Sequence, residues 1–192
     1  MGGVISPLLA NIALDKLDWH LHGLGLRFVR YADDFVVLCR SERQVQEALA
    51  TVGQLLAGRL GLTLSPEKTV VTRFARGFSF LGFDIRSKTV RMRQKSVEKF
   101  KDKVREVTRR SHNFDARVVT EPNQVVRSRA NYFATPFSNC GNLFRTLDRW
   151  TRMRLRCMKL KRKRRNDNWK VRTKHLRRKG FVFLSDFIPA PA

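Results

Sequence analysis

Residues 28–38 constrain the fold more than any other part of this sequence. They read Phe28-Val29-Arg30-Tyr31-Ala32-Asp33-Asp34-Phe35-Val36-Val37-Leu38, so two adjacent carboxylates separate two short runs of β-branched and aromatic residues. Such runs favour strands, and a polar pair between them is typical of a hairpin turn. Paired carboxylates held by a rigid turn are suitable ligands for a hard cation such as Mg²⁺. Aspartate also favours turns for backbone reasons, so the pair alone leaves both interpretations open.

Three further motifs accompany this hairpin in a fixed order. One precedes it, Gly2-Gly3-Val4-Ile5-Ser6-Pro7-Leu8-Leu9-Ala10-Asn11-Ile12, and two follow it, Gly61-Leu62-Thr63-Leu64-Ser65-Pro66-Glu67-Lys68-Thr69 and Phe80-Leu81-Gly82-Phe83. With Tyr31-Ala32-Asp33-Asp34, this set resembles the palm of the reverse transcriptases that group II introns encode. The similarity continues more loosely to about Gly180 and therefore covers nearly the whole chain.

The resemblance implies an RNA-directed DNA polymerase (a nucleotidyltransferase) that is also an intron maturase. Its catalytic site would hold two Mg²⁺ ions, with Asp33 as the main ligand and Asp34 as its supporting neighbour. Lys68 would reach the triphosphate as a catalytic cation, although an ordinary exposed turn lysine explains this residue equally well. The implied partners are group II intron RNA, an RNA template and a DNA primer.

The resemblance also indicates residues that would lie against the nucleotide and the primer. Glycine permits close approach because it has no Cβ, and the hairpin residues next to Asp33 would flank the reacting atoms. Residues of an apolar motif also serve a hydrophobic core, so both roles stay open for Phe80-Leu81-Gly82-Phe83. The candidate nucleotide- and primer-binding residues are Gly2, Gly3, Ser6, Tyr31, Ala32, Leu81 and Gly82.

Part of the family's catalytic machinery has no counterpart in this sequence. The second essential aspartate of the family lies upstream of the glycine pair, and the fingers are absent as well. Asp15, Asp18 and Asp84 offer no evident substitute, since no suitable partner is near them in sequence. We therefore expect the C-terminal part of a longer enzyme, which is not competent for DNA synthesis alone and has an N-terminal reverse transcriptase fragment as a candidate partner. The alternatives are a non-catalytic RNA-binding splicing cofactor and a degenerate remnant.

Charge is distributed very unevenly along the chain. The formal net charge is +24, but residues 1–90 carry 11 Lys/Arg against 8 Asp/Glu, whereas residues 91–192 carry 29 against 8. The second half therefore has the charge of a surface that binds a polyanion. By resemblance it corresponds to the thumb, or maturase domain, which binds intron RNA.

Basic residues recur at helical spacing after residue 144 and cluster again further on. Runs of charge are often only solvated, but aromatic residues such as Trp150 and Trp169 are interleaved here and favour nucleic-acid contact. The candidate RNA-binding residues are Arg145, Arg149, Arg152, Arg156, Lys159, Lys161, Arg162, Lys163, Arg164, Arg165, Arg177, Arg178 and Lys179.

Hydrophobic periodicity and capping residues predict an α+β fold in which a partial polymerase palm precedes an all-α basic region. Ser6 is a suitable N-cap, with Leu9, Ala13, Leu17 and Leu21 on one helical face. We expect a palm at 1–90, a helical thumb at 91–165 and a basic extension at 166–192. The predicted strands are 62–64, 70–74 and 78–85, beside a hairpin at 27–40, and the predicted helices are 7–22, 42–60, 95–110, 122–132 and 140–161.

Membrane and secreted classes do not fit the sequence. Its longest apolar stretch, at 7–26, is interrupted by Asp15, Lys16 and Asp18, so it is not a bilayer-spanning segment. The three cysteines are dispersed, which suits reduced thiols inside a cell and a cytoplasmic protein. No Cys/His cluster has the spacing of a zinc site.

Overall fold

A computed structural model describes residues 5–110, 117–162 and 164–189, except for the side chains of residues 117, 165 and 166. The described chain consists of helices and two small antiparallel sheets, which confirms the expected α+β class. It divides between Thr72 and Arg73 into two compact units. This division reflects packing within the chain. The expected division into palm, thumb and basic extension stays a prediction.

The first unit packs two helices against one β-hairpin. Helix α1 covers Ser6–Gly23, strands β1 and β2 cover Arg27–Tyr31 and Asp34–Leu38, and helix α2 covers Glu42–Leu55. A π-helical turn, Leu56–Leu60, continues α2 until Gly61 ends it in a left-handed conformation with φ of 62°. The core consists of Leu14, Leu17 and Leu21 from α1 with Val52, Leu55 and Leu56, and Phe28, Phe35 and Val37 pack against it.

The start of α1 differs from the prediction. The helix begins at Ser6 and is capped by Ile5, whose carbonyl accepts the first helical hydrogen bond from the Leu9 N–H at 3.0 Å. Ser6 is therefore inside the helix, and its predicted role as N-cap is wrong. Leu9 and Ala13 are exposed, so only the second half of the predicted apolar face is buried.

The central hairpin is confirmed, with one correction at its end. Arg27 pairs with Leu38 and Tyr31 with Asp34, which leaves a two-residue turn of Ala32 and Asp33. Asp34 is thus the first residue of β2 and not part of the turn. The sheet has only these two strands within the described part of the first unit, so the outer edge of each is unpaired. Such edges favour aggregation.

The predicted strands after Gly61 are mostly wrong. Residues 62–64 and 70–74 form no strand, and Val70 is 73% exposed with no strand beside it. Apolar β-branched residues form strands only where neighbours pack on them and supply ladder hydrogen bonds.

The predicted strand at 78–85 is instead a hairpin at the start of the second unit. Strands β3, Phe78–Phe80, and β4, Phe83–Arg86, pair antiparallel, and β5, Thr89–Met92, pairs with β4 as a third strand that was not predicted. Leu81 and Gly82 form the first turn with φ of 47° and 79°, the positive values that a tight type I′ hairpin turn requires.

Four helices make up most of the second unit. They are α3, Gln94–Val107, α4, Arg117–Phe133, α5, Gly141–Leu160, and α6, Thr173–Arg178. Two 3₁₀ turns, Arg165–Asn168 and Leu184–Phe187, flank α6. The predicted start of α4 at Pro122 is wrong, because the helix begins five residues earlier and contains the proline. Val118, which lies in this extra turn, is buried in one cluster with Leu155 and Phe183.

Two hydrophobic clusters hold these helices together. One joins Phe100 and Val104 of α3 to Val126 and Phe133 of α4 and to α5, and Phe144 is its largest α5 side chain. The other joins Leu155 and Met158 of α5 to residues 171–183. The remaining face of α5 contributes no side chain to either of these two clusters.

Two broader expectations concern membranes and thiols. Among the described residues no helix is long and apolar enough to span a bilayer. Cys39, Cys140 and Cys157 are free thiols.

Candidate catalytic hairpin and basic helix face

The turn of the first hairpin presents Asp33 to solvent. Ala32 precedes it with φ of 54°, an uncommon left-handed conformation for a residue with a side chain. Strain of this kind persists only where surrounding structure holds it, and it is concentrated at functional sites. Asp34 is also exposed, on the face of the hairpin that Tyr31 and Val29 share.

Arg30 holds this turn in place. Its Nη1 donates to the carbonyl oxygen of Ala32 at 2.9 Å and to Oδ1 of Asn11 at 2.9 Å. Its Nε donates to Oδ1 of Asp18 at 2.8 Å, and Nη2 to Oδ2 at 2.5 Å. One guanidinium therefore ties helix α1 to the peptide that directly precedes Asp33.

This ion pair is partly shielded from water. The side chain of Arg30 is 11% exposed and that of Asp18 is 27% exposed. The hydrogen bonds that Arg30 donates to Asp18 raise the pKa of Arg30 above its usual value. Both carboxylate oxygens of Asp18 accept hydrogen bonds from Arg30, so this carboxylate is engaged within the protein.

The adjacent carboxylates of Asp33, in the turn, and Asp34, at the start of β2, fit one side of a divalent metal site. Their oxygens are the ligands that Mg²⁺ prefers, and Mg²⁺ is commonly held by one or two carboxylates together with substrate phosphates. Within residues 5–110, 117–162 and 164–189, no group of three or more His, Cys, Asp or Glu side chains is arranged to hold a metal. Asp33 and Asp34 therefore suit a site that is completed by other ligands.

The other candidate residues of the first unit differ in their relation to this turn. Ser6 and Lys68 are exposed, and no hydrogen bond or ion pair that the structure describes joins them to Asp33 or Asp34. Lys68 lies in a turn after Ser65, whose carbonyl accepts its N–H at 3.1 Å. Tyr31 and Ala32 flank the carboxylates directly. Gly2 and Gly3 lie outside the described residues.

Leu81 and Gly82 are fixed by contacts within the second unit. The hydroxyl of Tyr132 donates to the Leu81 carbonyl oxygen at 2.8 Å, and the Arg93 N–H donates to that of Gly82 at 2.8 Å. A Cβ on Gly82 would lie 3.2 Å from Oγ of Ser96 and 3.4 Å from a ring carbon of Phe133. Positive φ and helix packing thus account for the glycine here.

One face of α5 carries three neighbouring arginines. Arg145, Arg149 and Arg152 line a depression of about 210 Å³, together with Asp148 and Ser185. The structure thus brings three of the candidate RNA-binding residues together in one depression.

Several other members of that set bind within the protein. Arg156 donates to the Val171 carbonyl oxygen and to Oδ1 of Asn168, each at 2.8 Å, and burial lowers its pKa. Lys161 donates to the Arg110 carbonyl oxygen at 2.5 Å. These side chains stabilise loops beside α5.

Two further arginines are paired with carboxylates. Arg162 binds the buried carboxylate of Asp167, which raises the pKa of Arg162 and lowers that of Asp167. Arg177 binds Asp186, and this hydrogen bond raises its pKa. Replacing the whole run 159–165 would therefore disturb the fold as well as the charge.

The remaining basic candidates are either exposed or lie outside what the structure describes. Arg164 and Arg178 are exposed, as are Lys159 and Lys179. Lys163 and the side chain of Arg165 lie outside what the structure describes. Of the two candidate stacking residues, Trp169 is 63% exposed, whereas Trp150 is half-buried with the guanidinium of Arg105 at 5.5 Å from its ring centroid.

Sequence reasoning missed Arg30 and Asp148. Each carried a signal that could have indicated its role. Arg30 follows Phe28 by two residues, so both side chains lie on the core side of the strand. A charge on that side needs a partner. Asp148 is the one acid within the strongly basic helix α5.

Two family models match the chain, one after the other. The model described as reverse transcriptase (RNA-dependent DNA polymerase) matches residues 1–85, and that described as group II intron, maturase-specific domain matches residues 97–180. The hairpin lies in the first match and the arginine face of α5 in the second.

Curated relatives agree with this assignment. Protein YkfC of Escherichia coli K12 is 31% identical over 42% of this chain and 30% of its own length. The group II intron-encoded protein LtrA of Lactococcus lactis is 37% identical over 32% of this chain and 10% of its own length. The retron Ec86 reverse transcriptase of Escherichia coli is 32% identical over 37% of this chain and 23% of its own length.

The chain thus spans at most about a third of each of these relatives. The order of the two family matches, and the hairpin and helices found within them, agree with one assignment. This chain belongs to the family of group II intron reverse transcriptases and maturases.

Proposed function

We propose that the first hairpin supplies one side of the nucleotidyl-transfer site of an RNA-directed DNA polymerase. Reverse transcriptases use divalent metal ions in general, and their partners are nucleic acids. The observation that carries the proposal is the fixed turn, in which Arg30 holds the carbonyl of the strained residue Ala32 next to the exposed carboxylate of Asp33.

Each residue would have a defined task. Asp33 would bind metal as the main ligand, with Asp34 supporting it, and two Mg²⁺ ions would lower the pKa of the primer 3′ hydroxyl and stabilise the departing pyrophosphate. Lys68 would place a positive charge beside the triphosphate. Gly2, Gly3, Ser6, Tyr31 and Ala32 would flank nucleotide and template, and Leu81 and Gly82 the primer.

One carboxylate pair is a small ligand set for two metal ions. By family resemblance, a further aspartate from a separate strand completes the site, so we propose that activity requires a polypeptide that carries this strand. The described residues contain no third acidic side chain arranged with Asp33 and Asp34. An N-terminal reverse transcriptase fragment is the proposed source of the missing ligand.

Primer extension tests this proposal. The purified chain is incubated with an RNA template, a DNA primer, Mg²⁺ and deoxynucleotides, with and without a purified fragment that contains the fingers and the upstream aspartate of a relative. We expect no product from the chain alone and partial synthesis in the mixture. Asp33→Ala should abolish that synthesis, because the main metal ligand is lost.

Asp15→Ala is the matched control, since this carboxylate is exposed on α1 and binds no residue of the turn directly. It should leave synthesis in the mixture unchanged. Robust synthesis by the Asp33→Ala protein would contradict the role of Asp33. Synthesis by the unmixed chain would contradict the need for an outside carboxylate.

A second candidate function is a non-catalytic RNA-binding splicing cofactor. The concentration of charge in residues 91–192 and the arginine face of α5 favour it. In this case the second unit would bind group II intron RNA, with the candidate basic residues as phosphate contacts, and the hairpin would serve as scaffold. Splicing assistance that survives Asp33→Ala would support the cofactor role and separate it from polymerase activity.

A further inference from the structure

The depression on α5 is small, open to solvent and lined mainly by arginine side chains. Its volume is about 210 Å³, below the roughly 300–1,000 Å³ of pockets that enclose drug-sized ligands. Arg145, Arg149 and Arg152 bring three guanidinium groups to it, whereas Asp148 is the only acid in the lining.

The carboxylate of Asp148 is buried and accepts hydrogen bonds from two backbone N–H groups. Asp148 is 1% exposed, and its Oδ1 and Oδ2 accept the N–H groups of Leu184 at 2.8 Å and Ser185 at 3.0 Å. These bonds fix the 3₁₀ turn at Leu184–Phe187 to α5. Asp148 is thus a buried part of the lining, and its charge opposes the lowering of the Arg152 pKa by burial.

The guanidinium groups of Arg149 and Arg152 have unused hydrogen-bond donors. No hydrogen bond from either group to a protein acceptor is found among the described residues. Arg152 lies over the ring of Phe183 at 5.3 Å from its centroid, and burial lowers the pKa of Arg152. A half-buried guanidinium without an acceptor is costly, and an anion that accepts its hydrogen bonds would remove this cost.

Arg145 differs from its two neighbours. Its Nη1 donates to Oδ1 of Asn142 at 3.0 Å, which holds its guanidinium on the first turns of the helix. Arg145 therefore lines the depression with part of its donor set in use.

We propose that this arginine pocket, defined by Arg145, Arg149 and Arg152, binds one backbone phosphodiester of an RNA strand. The proposal rests on the proposed RNA binding of the second unit and deepens it, by assigning a fixed position to one phosphate. Guanidinium forks match phosphate oxygens in pairs, so the contact depends on geometry as well as on charge. The other exposed basic residues would contribute charge alone.

Charge-preserving substitutions separate these two kinds of contact. In Arg149→Lys and in Arg149→Lys with Arg152→Lys, the positive charge stays but the planar fork is lost. Filter binding of a structured RNA to the full chain should be about tenfold weaker for the double variant. The slope of affinity against salt should stay the same, because the number of released counterions is unchanged.

Arg109→Lys with Arg127→Lys is the matched control, since both arginines are exposed and lie outside the pocket. It should bind RNA like the wild type. The single variant Arg149→Lys controls for misfolding of the double variant, because it leaves the contact between Arg152 and Phe183 in place. Wild-type affinity in both pocket variants would overturn the proposal.

A second arm measures the pocket without RNA. Inorganic phosphate is titrated into the full chain while the arginine Nε–Hε resonances are followed by NMR, with chloride at equal ionic strength as reference. We expect shifts for Arg149 and Arg152 and none for Arg109 and Arg127. Absence of these shifts would overturn the pocket as an anion site.

The two arms distinguish the possible failures. Phosphate shifts with unchanged RNA affinity in the variants would mean that the pocket takes free phosphate, which overturns the phosphodiester assignment. If the wild-type chain binds no RNA, the proposed RNA-binding function fails and the phosphodiester assignment fails with it, whatever the phosphate arm shows. RNA binding by the wild type that is weakened only in the pocket variants supports both.

Discussion

Arg30 is the residue through which helix α1 sets the position of the catalytic candidate Asp33. Its guanidinium bonds at once to Asp18, to Asn11 and to the Ala32 carbonyl oxygen. Two of these acceptors belong to the helix, and the third is the peptide before Asp33. We therefore expect Arg30 to be a positioning residue, which acts on metal binding through the turn.

Asp18→Asn tests this arrangement at the level of stability. The substitution removes the charge that balances a guanidinium only 11% exposed, and hydrogen bonds to charged groups are worth more than neutral ones. We expect a loss of about 1–2 kcal/mol in the free energy of unfolding, discounted for the partial exposure of Asp18. Urea denaturation measures it.

Asp15→Asn is the matched control because it lies on the same helix and is exposed. It should change the free energy of unfolding by less than about 0.5 kcal/mol. Equal losses in the two variants would indicate a general charge effect on α1, and the anchoring role of Asp18 and Arg30 would be wrong.

The sequence predicted Asp33 at the hairpin turn but not the means by which the turn is held. Alternating strand residues reveal a turn between them, since that pattern is local. The acceptors of Arg30 come from a helix twelve and nineteen residues away in sequence. In the same way, the pairings of Arg162 and Arg177 depend on loops whose paths the sequence pattern does not specify.

At the scale of elements, the β3–β4 turn connects the small sheet to two helices. Tyr132 of α4 binds the Leu81 carbonyl oxygen, and Oγ of Ser96 in α3 donates to that of Gly82 at 3.3 Å. Phe83 follows the turn and packs on Phe133 with ring centroids 4.8 Å apart. The candidate primer contact thus depends on helix packing in the second unit.

Gly82→Ala is expected to destabilise this turn. A residue with a side chain pays about 1–2 kcal/mol at φ of 79°, and the new Cβ would also crowd Ser96 at 3.2 Å. The free energy of unfolding should fall by at least this amount, as measured by urea denaturation. Gly141→Ala is the control, because its Cβ would make only ordinary contacts, with Cδ1 of Ile188 at 3.8 Å and Nη1 of Arg145 at 3.9 Å, and it should cause no loss.

The contrast between helices and strands has a physical cause. Helices α3 and α5 were predicted to within a few residues, since each buries a stripe of its own periodic sequence. A strand depends on a neighbour for its hydrogen bonds, and sequence alone does not identify that neighbour. Val70 and Val71 therefore have the sequence pattern of a strand but no neighbouring strand to pair with among the described residues. Thr89–Met92, in contrast, pairs with β4.

At the scale of the whole molecule, the two halves of the sequence differ strongly in charge. Residues 91–192 carry 29 Lys/Arg against 8 Asp/Glu, but part of this charge is used internally by Arg156, Arg162 and Arg177. The cations that remain exposed, Arg149, Arg164 and Arg178 among them, are those we expect to meet phosphates.

Salt dependence of RNA affinity tests this assignment. If roughly six to ten cations meet phosphates, affinity should fall by about three to five decades between 50 and 200 mM salt. Replacing Arg149, Arg164 and Arg178 by Gln should reduce the magnitude of the slope of log affinity against log salt by about 3, because three contacts are lost. The same loss of charge in Arg27, Arg40 and Arg59, which are exposed in the first unit, should change the slope much less. Filter binding at several salt concentrations measures both variants, and equal slopes would show that RNA contacts are not concentrated in the second half of the chain.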